Sequence, residues 1–136
     1  MSCGEKNLGN QKIQKMTFHH VGIPVNGKLQ DGVHNEALKL SAKGYFDTPY
    51  AVEWMAFDDD NDLPEIIKRQ PHVAYVVEDL EAALAGREVV LGPSSPCKGV
   101  RTAFMRDGPN LIELLQFDLP EQVVWPHPGK FLLECK

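Results

Sequence analysis

Two histidines and two glutamates, His20, His72, Glu53 and Glu113, occupy matched places in this 136-residue chain and are the side chains best suited to chemistry. His20 opens the apolar segment His20-Val21-Gly22-Ile23-Pro24-Val25, and His72 opens His72-Val73-Ala74-Tyr75-Val76-Val77. Glu53 stands in Val52-Glu53-Trp54-Met55-Ala56-Phe57-Asp58 and Glu113 in Ile112-Glu113-Leu114-Leu115-Gln116-Phe117-Asp118, with Glu, Phe and Asp at the same offsets. Two echoes in the same order read as an internal duplication. Imidazole nitrogens and carboxylate oxygens form a mixed ligand set that suits divalent Fe, Mn, Co, Ni or Zn, and the set does not choose among them.

A strand sends alternate side chains to opposite faces, so each candidate's companions can be read off the chain. Glu113 shares a face with Leu111, Leu115 and Phe117, and Glu53 with Ala51, Met55 and Phe57. An ionised carboxylate in such an apolar row is costly unless paired or metal-bound. His20 lies with Phe18, Gly22 and Pro24, and His72 with Ala74 and Val76. In both, a small residue two positions on leaves room beside the imidazole. By the same alternation His19 points away from His20, with Val21, Ile23 and Val25, as a packed or solvent-facing residue. Trp54 and Tyr75 also fall opposite the ligand face, where core packing is the simpler account. A single histidine on an apolar strand is more often structural than ligating. The matched placement of four residues favours a shared site.

The elements that must position these residues follow a repeated plan. In the second copy a strand opening at His72 is followed by a helix, with Asp79 as N-cap, Leu80 to Ala85 as good helix formers and Gly86 as the stop. Glu88 to Leu91 reads as a strand, Gly92-Pro93-Ser94-Ser95-Pro96 as a loop, and Val100 to Arg106 as another strand. Asp107-Gly108-Pro109-Asn110 then turns the chain into Leu111 to Phe117. In the first copy the interval from His to Glu is shorter, and Asn26-Gly27-Lys28 through Gly32 reads as a loop in place of the helix. Leu38 to Lys43 alternates as a strand. The expected fold class is α+β, as two tandem βαβββ modules, the first with a degenerate helix. The expected organisation is a polar extension over 1–16, a domain over 17–118 and a tail over 119–136. Within the domain, module 1 covers 17–58, a link 59–70 and module 2 71–118. The tail, with Pro120, Pro126 and Pro128, is expected to wrap the surface, and Phe131-Leu132-Leu133 to add a strand or a dimer contact.

Other residues are read more plainly. Arg101 and Arg106 flank the strand before Glu113 and are candidates to hold an anionic substrate group. Asp58-Asp59-Asp60 with Asp62 lacks the central Gly and terminal Glu of a calcium loop and reads as a solvated turn. His34 and His127 have ordinary surface settings. Cys3, Cys97 and Cys135 lie far apart and read as unpaired thiols. With 43% hydrophobic and 24% charged residues the composition is that of a soluble globular protein, and no apolar run is long enough to cross a bilayer. The polar N-terminus lacks a secretory pattern, so a cytoplasmic location is expected. A net charge of −5 with scattered basic residues argues against nucleic acid as partner.

Paired modules with His on the first strand and Glu on the last resemble the vicinal oxygen chelate superfamily, the glyoxalase, bleomycin-resistance and extradiol dioxygenase proteins, over roughly Phe18 to Phe117. The resemblance implies curved mixed sheets around a cleft. It implies His20, Glu53, His72 and Glu113 as ligands of one divalent metal, with Glu65 the rival of Glu53 because the first module is short. It implies chelation of a substrate's vicinal oxygens, with Glu113 or Glu53 moving a proton, in an isomerase, epimerase or lyase acting on a small oxygen-rich molecule. The alternatives are a non-catalytic protein that sequesters a small molecule and a ring-cleaving dioxygenase. A homodimer is expected by the same resemblance.

Overall fold

The computed structural model describes residues 14–45 and 48–125. In the first half, β1 (Thr17–Pro24), β2 (Val33–Asn35), β3 (Leu40–Lys43) and β4 (Val52–Phe57) follow one another with no helix between them. A short α1 (Glu65–Arg69) leads to β5 (His72–Val76), α2 (Leu80–Leu84), β6 (Glu88–Cys97), β7 (Val100–Asp107) and β8 (Asn110–Phe117), and α3 (Glu121–Val124) closes the described chain. The α+β, glyoxalase-like fold read from the sequence is what the strands form.

All eight strands join one curled sheet in the order β2-β3-β4-β1-β5-β8-β7-β6. Each half has the same wiring. Its first strand runs parallel to its last, β1 with β4 and β5 with β8, and hairpins extend outward from there. The halves meet where β1 pairs antiparallel with β5, so the two histidine-bearing strands are neighbours at the centre of the sheet.

Local chemistry explains most element boundaries. The side chain of Asp79 caps α2 by accepting from the Ala82 amide, and Gly86 takes the positive φ that releases the chain into β6. Leu80, Ala83 and Leu84 of α2 bury themselves on Ala103, Met105 and Leu114 from the outer face of β7 and β8. Among the described residues no helix covers the corresponding face of the first half, and Trp54 there is 40% exposed. The stretch read as a loop after Leu91 instead continues β6 to Cys97, with register shifts against β7. An edge strand has one unpaired side, so it admits Pro93 and Pro96 through bulges that a central strand would refuse.

Two further readings are corrected here. Leu119 to Trp125 does not merely wrap the surface. Trp125, 1% exposed, is the largest fully buried side chain and packs with Val100, Leu115 and Val124. Cys97 is half of a disulfide, so the reading of three unpaired thiols fails for it. Cys3, Cys135, His127 and the Phe131 to Leu133 segment lie outside the described residues. Among those described, no helix is long and apolar enough to cross a membrane.

Candidate metal centre

The central strand pairing brings the four predicted residues together. On β1 and β5, His20 stands opposite Ala74 and Gly22 opposite His72. On the flanking parallel strands, Glu53 stands beside Gly22 and Glu113 beside Ala74. Two rows therefore cross the sheet, Glu53–Gly22–His72 and His20–Ala74–Glu113, each mixing residues of both halves. The small residues are explained by this register, because each one makes room for the other half's imidazole. A Cβ built on Gly22 would sit 2.2 Å from His72 Cε1.

His20, His72 and Glu113 are buried and close enough to share an ion. Glu113 Oε1 lies 3.4 Å from His20 Nε2 and 3.3 Å from His72 Nε2. Neither contact has hydrogen-bond alignment, and both ring nitrogens of His72 lack a partner. Two donors about 2.1 Å from a shared tetrahedral centre would be about 3.4 Å apart, which these edges match. Glu53 sits at the margin of the group, its Oε1 3.9 Å from His20 Nε2 and its Oε2 without a partner. Orphaned buried polar atoms are rare in folded proteins and call for an explanation, of which an ion is one. The donor set and its spacing fit a divalent metal held by His20, His72 and Glu113.

The electrostatics point the same way. Burial, then the charge of Glu113, pushes the Glu53 carboxyl up to about 8. Burial would raise Glu113 too, yet the imidazoles of His20 and His72 hold it well below the usual carboxylate range. Burial lowers His20 in turn, so the pocket that keeps Glu113 ionised disfavours charge on its neighbour. A divalent cation at this point would carry the sign of charge that the ionised Glu113 calls for.

The four residues lie at the floor of a cavity of about 450 Å³. Its walls are mainly apolar, from Leu40, Met55, Ile67, Phe104, Leu115 and Trp125, with Ser94, Ser95 and Thr102 as polar exceptions. Thr102 was not anticipated. Its hydroxyl donates to Glu113 Oε2 at 2.7 Å, leaving Oε1 to face the histidines. The turn through Gly108-Pro109 carries the signal, because pairing Asp107 with Asn110 sets Phe104 opposite Glu113 and puts Thr102 on the same face.

His19 is the larger surprise. The register slips between Phe18 and His20, so His19 is the extra residue of a β-bulge and does not point away from the site as simple alternation requires. Its Nδ1 lies 2.7 Å from His20 Nδ1, and its Nε2 lies 3.0 Å from Glu121 Oε1. Tyr45 stacks on the His19 ring and donates to Glu121 Oε2.

Three candidates fall away from the site. Arg101 forks onto Glu81 of α2 and reaches Gln116, while Arg106 faces Glu88, and neither lines the cavity. Arg101 stands on the α2 side of β7, opposite Gln116, and Arg106 lies at the strand's exposed end. Glu65 is exposed on α1 and paired with Lys68 and Arg69, which removes it as the rival of Glu53. The acidic turn is tied down by ion pairs, Asp58 to His34 and Asp60 to Lys39.

Among solved structures the chain is similar to methylmalonyl-CoA epimerase from Mycobacterium tuberculosis. The TM-score is 0.51 at 21% identity, over 79% of this chain and 91% of that one. The likeness is one of fold. No family model matches the sequence, and no curated protein does.

Proposed function

We propose that this chain is a metal-dependent isomerase or epimerase acting on a small oxygen-rich molecule, with His20, His72 and Glu113 as metal ligands and Glu53 as the proton-moving carboxylate. The observation that carries the reading is the convergence of buried His20 Nε2, His72 Nε2 and Glu113 Oε1 at the floor of a cavity, beside a second buried carboxyl that lies outside their group. The epimerase fold neighbour supports the same reaction class by analogy.

A bound divalent cation supplies Lewis acidity to oxygens of the substrate and so acidifies the carbon between or beside them. The protein supplies the rest. The largely apolar walls lower the effective dielectric around these groups, which strengthens charge interactions among them. Thr102 holds Glu113 in its facing orientation. Ionised Glu53 is a strong base for a carboxylate and suited to proton abstraction near neutral pH. It takes the proton from the acidified carbon and returns it, with the electron pair staying on the substrate meanwhile.

Elemental analysis of protein purified without a histidine tag or added metal tests the assignment. Wild-type protein is expected to carry close to one divalent metal per chain, and His72→Ala and Glu113→Gln to carry little. Glu53→Gln is expected to keep the metal and lose turnover. Wild-type protein that neither carries metal nor takes up Zn, Co, Ni or Mn would instead support a sequestering protein built on the same apolar cavity.

A further inference from the structure

The bulge at His19 creates a chain of contacts that the metal reading does not require. It runs from Glu121, half-exposed on α3, through His19 to His20 at the sheet centre. Two Nδ1 atoms 2.7 Å apart need one hydrogen between them, because two bare nitrogens would repel and two N–H groups would clash. Which ring supplies it is set at the outer end. The Tyr45 hydroxyl lies 3.2 Å from both His19 Nε2 and Glu121 Oε2, and with its one hydrogen given to Glu121 its oxygen and Glu121 Oε1 are both acceptors facing His19 Nε2, which calls for a hydrogen on that nitrogen. A partly exposed carboxyl within reach of two donors is ionised at neutral pH and acts as acceptor to both. A neutral His19 with its hydrogen on Nε2 has a bare Nδ1, which must accept from His20 Nδ1. His20, neutral in turn, is left with a bare Nε2.

We propose that His19 is a positioning residue that, anchored by Glu121, takes the hydrogen bond of His20 Nδ1 and thereby presents His20 Nε2 as a lone pair toward His72 and Glu113 before any ion arrives. The ligand role of His20 rests on the function proposed above; the tautomer does not. A histidine that ligates through one nitrogen is generally oriented by a hydrogen bond from the other. Here a second histidine makes that bond, and β1 makes room for it by carrying an extra residue. His72 has no such partner, since its Nδ1 is buried and unbonded. The two imidazoles are therefore unequal, with His20 preset and His72 free to choose its tautomer.

Long-range proton–nitrogen NMR on metal-free protein reads the tautomer of His20 directly, and competition against a chelating dye reads the affinity for cobalt(II). In wild-type protein His20 is expected to carry its hydrogen on Nδ1. His19→Phe fills the space without an acceptor, so His20 should shift toward the Nε2–H form and the cobalt dissociation constant should rise about 10- to 100-fold. His19→Asn, whose side-chain oxygen can accept in place of Nδ1, should recover most of that loss. Glu121→Gln, at a half-exposed position that folding tolerates, should leave His20 in a mixture of tautomers. An Nε2–H His20 in wild-type protein overturns the proposal. So does a tautomer that neither His19→Phe nor Glu121→Gln moves. Wild-type protein with the Nδ1–H tautomer that takes up no cobalt upholds the chain of contacts and overturns the metal reading alone.

Discussion

Glu53 and Glu113 are the same side chain in equivalent strands, yet the fold drives them to opposite ends of the carboxylate range. Glu113 faces two imidazoles, while Glu53 faces apolar walls and the charge of Glu113. The difference gives metal-free protein a pH profile with a definite sign. A carboxyl raised from 4.5 to about 8 on folding binds its proton more tightly in the native state, so its contribution is full below 4.5 and lost as pH rises toward 8. Glu113 and Glu121, both depressed, contribute in the opposite sense, above the ordinary carboxyl range, and lose that contribution as pH falls. His20, lowered from 6.5 by burial, opposes Glu53 below pH 6.5, so the urea midpoint of metal-free protein is expected to fall between about pH 6.5 and 8, and Glu53→Gln to flatten that fall. A wild-type midpoint that is level across this range would contradict a buried, protonated Glu53. At this scale the sequence was informative: all four residues were legible because duplication marks positions, and a carboxylate in an apolar row advertises its cost. The roles of Arg101 and Arg106 were not, because chain proximity to Glu113 says nothing about which face a side chain occupies or what pairs with it.

Strands carry the site, and their errors of reading are instructive. Alternation recovered the course of β4, β5 and β8 because each buries a regular row. It failed at β1, where the bulge turns His19 toward the site, since a bulge is decided by the partner strand and by Tyr45 and Glu121 packing on it from far along the chain. It also failed at β6, whose prolines signalled a loop although an edge position accommodates them. Two substitutions probe how the elements hold the centre. Gly22→Ala places a methyl inside the His72 ring's space, and overpacking of this kind costs roughly 1–3 kcal/mol. Thermal or urea unfolding should show that loss, together with weaker metal uptake from a displaced His72. Trp125→Ala removes the largest buried side chain from a wall of the cavity, and denaturant unfolding should register a loss of about 3–5 kcal/mol. A near-neutral Trp125→Ala would show that the segment after β8 is dispensable to the core.

For the molecule as a whole, the decisive fact is that one chain supplies every candidate ligand. Because β1 and β5 are neighbours in a single sheet, His20 and His72 meet without a second subunit, and a dimer, if formed, is not needed to complete the centre. Metal content is accordingly expected to stay at one per chain when the protein is diluted, measured by elemental analysis alongside sedimentation. Content that falls as particles dissociate would place ligands across an interface instead. The overall architecture was readable from the repeat, because a duplicated pattern dictates equivalent wiring in both halves. The missing first helix was readable from the glycine and polar residues that replace it. The bulge also sets the number of genetic steps behind the His19 contacts. Deleting His19 alone would leave Phe18 opposite Tyr75 and His20 opposite Ala74 in unbroken antiparallel pairing, with no other side chain changing face. The whole link between Glu121 and the candidate centre can thus be gained or lost by a single codon in a gene whose remaining strands keep their register.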